Sequence, residues 1–138
     1  MIADEVMAAA RRWVGTPYRH RAALRGVGCD CIGLVRGVWR ELYGDEPAEL
    51  PAYRADWRDG THSAELLGLA RRRLVPGGMA PGAVLLFRIG AAMAPRHCGI
   101  LLDGGRFVHA QEQLGVIEGN LTDGWRRRVT GTFGFPER

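Results

Sequence analysis

The segment "GCDCIGLVRGVW", residues 28–39, decides how the rest of the chain is read. It sets Cys29 and Cys31 one residue apart, where a glycine-containing loop gives way to a helical pattern. Asp30 suits an N-cap, because its short carboxylate can accept from the N–H groups that a first helical turn leaves unpaired. Gly44, after Tyr43, supplies a left-handed stop. Between these signals Cys31, Leu34 or Val35, Val38 and Leu42 recur at helical spacing, on the face that must pack against a sheet. Cys31 then sits in the first turn, where free N–H groups and the positive end of the helix dipole favour a thiolate. Cys29 lies outside the helix and gains little of this. A buried cysteine is ordinarily a small inert hydrophobe. The aspartate cap and the flanking Gly28 and Gly33 point instead to Cys31 as a nucleophile.

Outward from this segment the chain divides in two. Before it, Val6, Met7, Ala10, Trp13 and Val14 predict a helix over Asp4 to Val14, stopped by Gly15 and Pro17. Residues 15–29 read as a loop. After it, the connection Pro47 to Gly60 has no clear pattern, and a third helix is expected over Ser63 to Leu74. The second half turns to short β-prone runs separated by Gly, Pro and Asn: "PGAVLLF" (Pro81 to Phe87), "HCGILLD" (His97 to Asp103), "RFVHA" (Arg106 to Ala110), "GVIEG" (Gly115 to Gly119) and "VTGTFGF" (Val129 to Phe135). Helices followed by a meandering antiparallel sheet predict an α+β domain of two layers, with residues 1–138 forming a single domain.

A thiolate nucleophile needs a base, and the base needs an orienting partner. Of the four histidines, His20 and His62 have no apolar pattern around them and read as surface residues. His97 opens one strand and His109 lies on the next, across the turn signal "DGG" of Asp103 to Gly105. Two histidines on adjacent strands opposite a helix-capped cysteine are the candidates for base and partner.

Composition narrows the field further. A chain of 138 residues, 46% hydrophobic and 25% charged, can bury a core without staples. Three cysteines cannot all pair within it, and the spacing of Cys29 and Cys31 suits a bridge poorly, so free thiols and a reducing compartment are expected. Asp4 and Glu5 stand where a signal peptide would carry basic residues, and no apolar run approaches the ~18 residues of a membrane helix. Synthesis in the cytoplasm without membrane insertion is therefore the expectation. The net charge of +4 comes with basic clusters at "ARRRL" (Ala70 to Leu74) and "WRRRV" (Trp125 to Val129). Without interleaved aromatic residues they read as solvated faces rather than a nucleic-acid site. A structural zinc would draw on Cys29, Cys31, His97, Cys98 and His109. Their spacing is not a familiar ligand pattern, however, and on a strand Cys98 should face away from His97.

The run "GTPYRH" (Gly15 to His20), then "DCIGLV" (Asp30 to Val35), "PGAVLLF", "RHCGILL" and "GRFVHA" resembles the successive blocks of the NlpC-type cysteine peptidases, papain-like hydrolases that cut peptide stems of bacterial peptidoglycan. "TPYRHRA" and "DCIGLVRGVWRELYG" are similar, more narrowly, to the phage-type branch encoded with phage tails and gene transfer agents. The resemblance implies an NlpC-type domain with its N-terminal helices packed on a mostly antiparallel sheet. By position it makes Cys31 the nucleophile, His97 the general base and His109 the polar residue that orients it. Tyr18 matches a tyrosine whose hydroxyl lines the site near the oxyanion. Asp30 and Ile32 flank the nucleophile on the substrate or oxyanion side. Ile32 stands where many members have serine, and Ala83 where many have aspartate. The implied reaction is hydrolysis between D-glutamate and diaminopimelate, with no metal or cofactor. Peptidoglycan stem peptides and a tail or baseplate protein of a phage-like particle are the implied partners, with action in the periplasm. "WRRRV" and the Pro47 to Gly60 connection are the candidate docking segments. The alternative within the same fold is a catalytically silent tail-hub adaptor.

If His109 orients His97, both must lie on one face of a hairpin. A two-residue turn would put them on opposite faces. A three-residue loop, Asp103 to Gly105, sets His109 opposite Gly99 and brings His97 two positions along on the same face. That loop is the expectation, with Gly99 kept small to clear the approach between the rings.

Overall fold

A computed structural model describes residues 2–44, 61–91 and 94–138. The Pro47 to Gly60 connection lies outside the described residues. Helix α1 (Ile2–Arg12) and helix α2 (Cys31–Tyr43) flank a two-residue antiparallel pair, β1 (Ala23–Leu24) and β2 (Gly28–Cys29). Helix α3 (Thr61–Arg73) leads into the strands β3 (Val75–Pro76), β4 (Val84–Phe87), β5 (His97–Leu101), β6 (Arg106–Gln111) and β7 (Gly115–Asn120). A short helix α4 (Asp123–Arg127) precedes the last strand, β8 (Val129–Gly134). The six longer-range strands form one sheet in the order β3-β8-β4-β5-β6-β7, with antiparallel pairing throughout. The fold is α+β, as the order of helical and strand signals predicts.

The helices form where the capping rules put them. Asp30 adopts an extended backbone and its side chain accepts from Gly33 N–H, and Gly44 closes α2 at φ 86° with its N–H on Arg40 O. Helix α1 starts and stops two residues earlier than its periodicity suggests. Val14, counted into its apolar stripe, is 44% exposed. Trp13 holds α1 against α2. Its ring lies so close to Gly37 that a Cβ there would come within 2.0 Å of Cζ2, and its indole N–H donates to Glu41 Oε1 at 3.1 Å.

Two apolar clusters lie on the two faces of the sheet. Helices α1, α2 and α3 cover the face that carries Val84, Leu86, Cys98, Ile100, Val108 and Ala110. The other face carries Ala83, Leu85, Phe87, Leu101 and Phe107, and Leu121, Trp125 and Val129 pack on it. Strands β1 to β3 and helix α4 carry no strong local pattern. Two-residue strands are shorter than any window in which alternation can be recognised.

Candidate active site

The site grows from the start of α2. Asp30 is 1% exposed, and its carboxylate reaches both ways: Oδ1 accepts from Gly33 N–H at 2.7 Å, and Oδ2 accepts from Arg21 N–H at 2.7 Å. The second bond clamps the loop before the helix at Arg21, a non-glycine residue held at φ 66°. His20 is exposed, as expected of a surface residue, with Nδ1 3.9 Å from Asp30 Oδ2. The cap thus fixes the first turn, and with it Cys31, against the loop carrying Tyr18. From below, the Cys98 thiol donates to Cys31 O at 3.2 Å.

The histidines come from the β5–β6 hairpin. Ile100 pairs with Val108 and Leu101 with Phe107, and Leu102 N–H donates to Arg106 O, which leaves Asp103 to Gly105 as a three-residue connection. Those three residues form a 3-10 turn in which Gly104 and Gly105 take φ 70° and 72°. The ladder therefore has the register the three-residue loop demands. His97 Nε2 and His109 Nδ1 lie 2.8 Å apart. Gly99 makes room for this: a Cβ would come within 2.9 Å of Phe107 Cδ2, 3.0 Å of Val108 O and 3.1 Å of His109 Cβ.

One sequence expectation needs correction. The histidines do not lie on the face that α2 covers. They project from the opposite face, where Phe107 stacks on His109 at 4.1 Å and Trp125 lies 5.7 Å from His97 and 5.3 Å from His109 between ring centroids. Cys31 and His97 meet where the N-terminal end of α2 reaches a pocket of about 180 Å³, lined by Tyr18, Cys31, His97, Gln111, Glu112 and Trp125 among others. Ile32 is fully buried in the main core and does not line this pocket, and Asp30 serves it as a cap.

Burial sets the electrostatics. Burial, reinforced by the neighbouring His97, lowers the His109 pKa to about 3, so His109 is neutral at physiological pH. Burial and then the charges of Cys31 and Asp30 push the Tyr18 hydroxyl up, keeping it a hydrogen-bond donor. Burial likewise pushes the Cys29 thiol up to about 12. A hydrogen bond with Cys31, and then burial, hold the Cys98 thiol well above its usual range. Both thiols are thereby held in the protonated form at neutral pH. Among the described residues no group of three or more His, Cys, Asp and Glu side chains could hold a metal ion, and no helix is long and apolar enough to cross a membrane.

Sequence reading missed Trp125, Gln111 and Glu112. Trp125 was legible only as part of a basic run. Its cue was Thr122, whose hydroxyl accepts from Trp125 N–H and starts α4 over the histidine pair.

Residues 15–133 match the model of the NlpC/P60 family. The chain belongs to the NlpC/P60 family. It is 31% identical over 117 residues to the murein DD-endopeptidase MepS/murein LD-carboxypeptidase of Escherichia coli K12, covering 84% of this chain and 54% of that one. It is 28% identical over 127 residues to the gamma-DL-glutamyl hydrolase of Bacillus subtilis, covering 91% of this chain and 28% of that one. The chain thus spans about half, or less, of the length of these curated relatives. The NlpC/p60 domain of the peptidoglycan hydrolase SagA superposes with a TM-score of 0.62 at 20% identity, covering 98% of each chain.

Proposed function

We propose that this NlpC/P60 domain is a cysteine peptidase that hydrolyses an amide bond in peptidoglycan stem peptides. The observation that carries the reading is the joint lining of one pocket by Cys31, at a capped helix N-terminus, and by His97, held through Nε2 by a neutral His109. The Cys31 thiolate attacks the scissile carbonyl carbon, and its oxygen takes the negative charge. The Cys31 backbone N–H and the protonated Tyr18 hydroxyl face that charge. His97, as the imidazolium, gives its proton to the leaving amine, and the C–N bond breaks to leave a thioester. His97, now neutral, takes a proton from water, whose oxygen displaces the sulfur and releases the acid. His109 holds the His97 ring in place through both steps.

We assign the bond between D-glutamate and diaminopimelate. The family resemblance of the sequence blocks supports it, and the gamma-DL-glutamyl hydrolase likeness agrees with a glutamyl carbonyl. Incubation with defined muropeptides, with products read by mass spectrometry, tests this. Cleavage only at the D-alanyl cross-link would reassign the bond, and no cleavage by a folded protein would leave the silent adaptor. The phage-type blocks "TPYRHRA" and "DCIGLVRGVWRELYG" support a place on a phage-like tail, acting in the periplasm. Purified particles should then carry the chain in fixed stoichiometry, and its absence from particles would remove that localisation without touching the chemistry.

A further inference from the structure

The histidine pair continues one residue further. Gln111 follows His109 on the same face of β6, and its amide nitrogen lies 3.5 Å from His109 Nε2. His109 is 2% exposed and packed between Phe107 and Trp125, and among the described residues His97 and Gln111 are the polar groups at its two ring nitrogens. A neutral imidazole carries one hydrogen, and which nitrogen holds it is set by what the other nitrogen meets.

When His97 is the cation, its Nε2–H donates to His109 Nδ1. His109 must then carry its hydrogen on Nε2, and the group opposite must accept. When His97 is neutral with its hydrogen on Nδ1, the bonds reverse: His109 Nδ1–H donates to His97 Nε2, and the group opposite His109 Nε2 must donate. A carboxamide is the side chain that can do either, because a half-turn of its end exchanges Oε1 and Nε2 in one place. We propose that Gln111 is a positioning residue of this site, its side-chain amide fixing which nitrogen of His109 carries the hydrogen and thereby whether His97 holds its Nε2 proton. The proposal rests on the Cys31, His97 and His109 reading above. Among the described residues, the other titratable groups lining the pocket with His97 are Cys31 and Tyr18 from the α2 terminus and the loop before it and Glu112 from the β6–β7 turn, while Arg128 lies 5.5 Å over the ring of Trp125, which packs on the pair.

The experiment is the pH dependence of Cys31 alkylation by iodoacetamide in the full chain, mapped by mass spectrometry, for wild type, Gln111→Met and Gln111→Glu. Wild type should show a Cys31 thiolate well below the ordinary thiol range. Gln111→Met keeps the bulk but offers no acceptor. Its alkylation should be about tenfold slower at mildly acid pH, where the thiolate depends on cationic His97, and should reach the wild-type plateau at high pH. Gln111→Glu, which only accepts, should react at least as fast as wild type in the acid range. Melting temperatures within experimental error of wild type would exclude a packing effect. Superimposable wild-type and Gln111→Met profiles, or a Gln111→Glu profile like that of Gln111→Met, would overturn the relay alone. A wild type without a low-pH thiolate at Cys31 would overturn the nucleophile reading and this proposal together.

Discussion

Substituting Asp30 separates two jobs that one carboxylate performs. For an isolated helix Asn caps about as well as Asp, so Asp30→Asn should be nearly neutral if capping were all that mattered. In the fold, however, Oδ1 accepts from Gly33 N–H in a buried bond while Oδ2 accepts from Arg21 N–H in a partly buried one, both at 2.7 Å. An asparagine satisfies Gly33 but turns an NH₂ toward Arg21 N–H, or the reverse. One hydrogen bond to a charged acceptor is lost and two donors face each other, a cost of about 2 kcal/mol. Asp30→Ala loses both bonds and the cap, about 3–5 kcal/mol. In a domain of this size these losses lower the melting temperature by about 6 °C and about 12 °C. Urea denaturation followed by far-UV circular dichroism at neutral pH should therefore rank wild type above Asp30→Asn above Asp30→Ala. Asp30→Asn with wild-type stability would refute the two-sided role and reduce Asp30 to an ordinary cap.

Other perturbations test other parts. His109 binds a proton in the unfolded chain near its ordinary value of 6.5, but in the fold only near pH 3. Its contribution to stability is present above about pH 6.5 and is lost as pH falls toward 3, at up to about 1.4 kcal/mol per unit. His109→Gln should flatten that part of the stability profile, and an unchanged slope would count against a neutral buried His109. Gly99→Ala should cost about 1–3 kcal/mol through the contacts with Phe107, Val108 and His109, and should lower turnover of a muropeptide at least tenfold by separating the imidazoles. Cys31→Ala should abolish hydrolysis with its circular dichroism spectrum unchanged, whereas Cys29→Ala should keep activity and lose stability, since Cys29 is fully buried. Treatment with EDTA should alter neither melting temperature nor hydrolysis rate.

What was legible in the chain was what local chemistry fixes. Asp30 and Gly44 bound α2 because caps are decided by the residues beside them, and the hairpin register followed from loop length and the period of two. The face that the histidines occupy was not legible. Period two tells that His97 and His109 share a face, but both faces of β5 and β6 are buried, one by α2 and the other by Leu121 and Trp125. Apolar residues on both sides leave no polar face to orient the strand. Trp125 escaped for a related reason: a run of arginines follows it in sequence, and its partners in space lie on three separate strands, β4, β5 and β6.

The borders of the sheet bear on how this domain can be held by another protein. At one border β3 is two residues long and ends in Pro76, whose nitrogen has no hydrogen to offer. At the other, Val116 of β7 spends its outward N–H on Thr16 O and its outward C=O on Gly15 N–H. By alternation the next outward groups are those of Glu118, whose C=O already accepts from Arg106 Nη2, and of Asn120, too short a run to template a stable new strand. Growth of the sheet from chain to chain is thereby discouraged. A scaffold that carries this domain must grip it by side chains and surface shape rather than by lending it a strand.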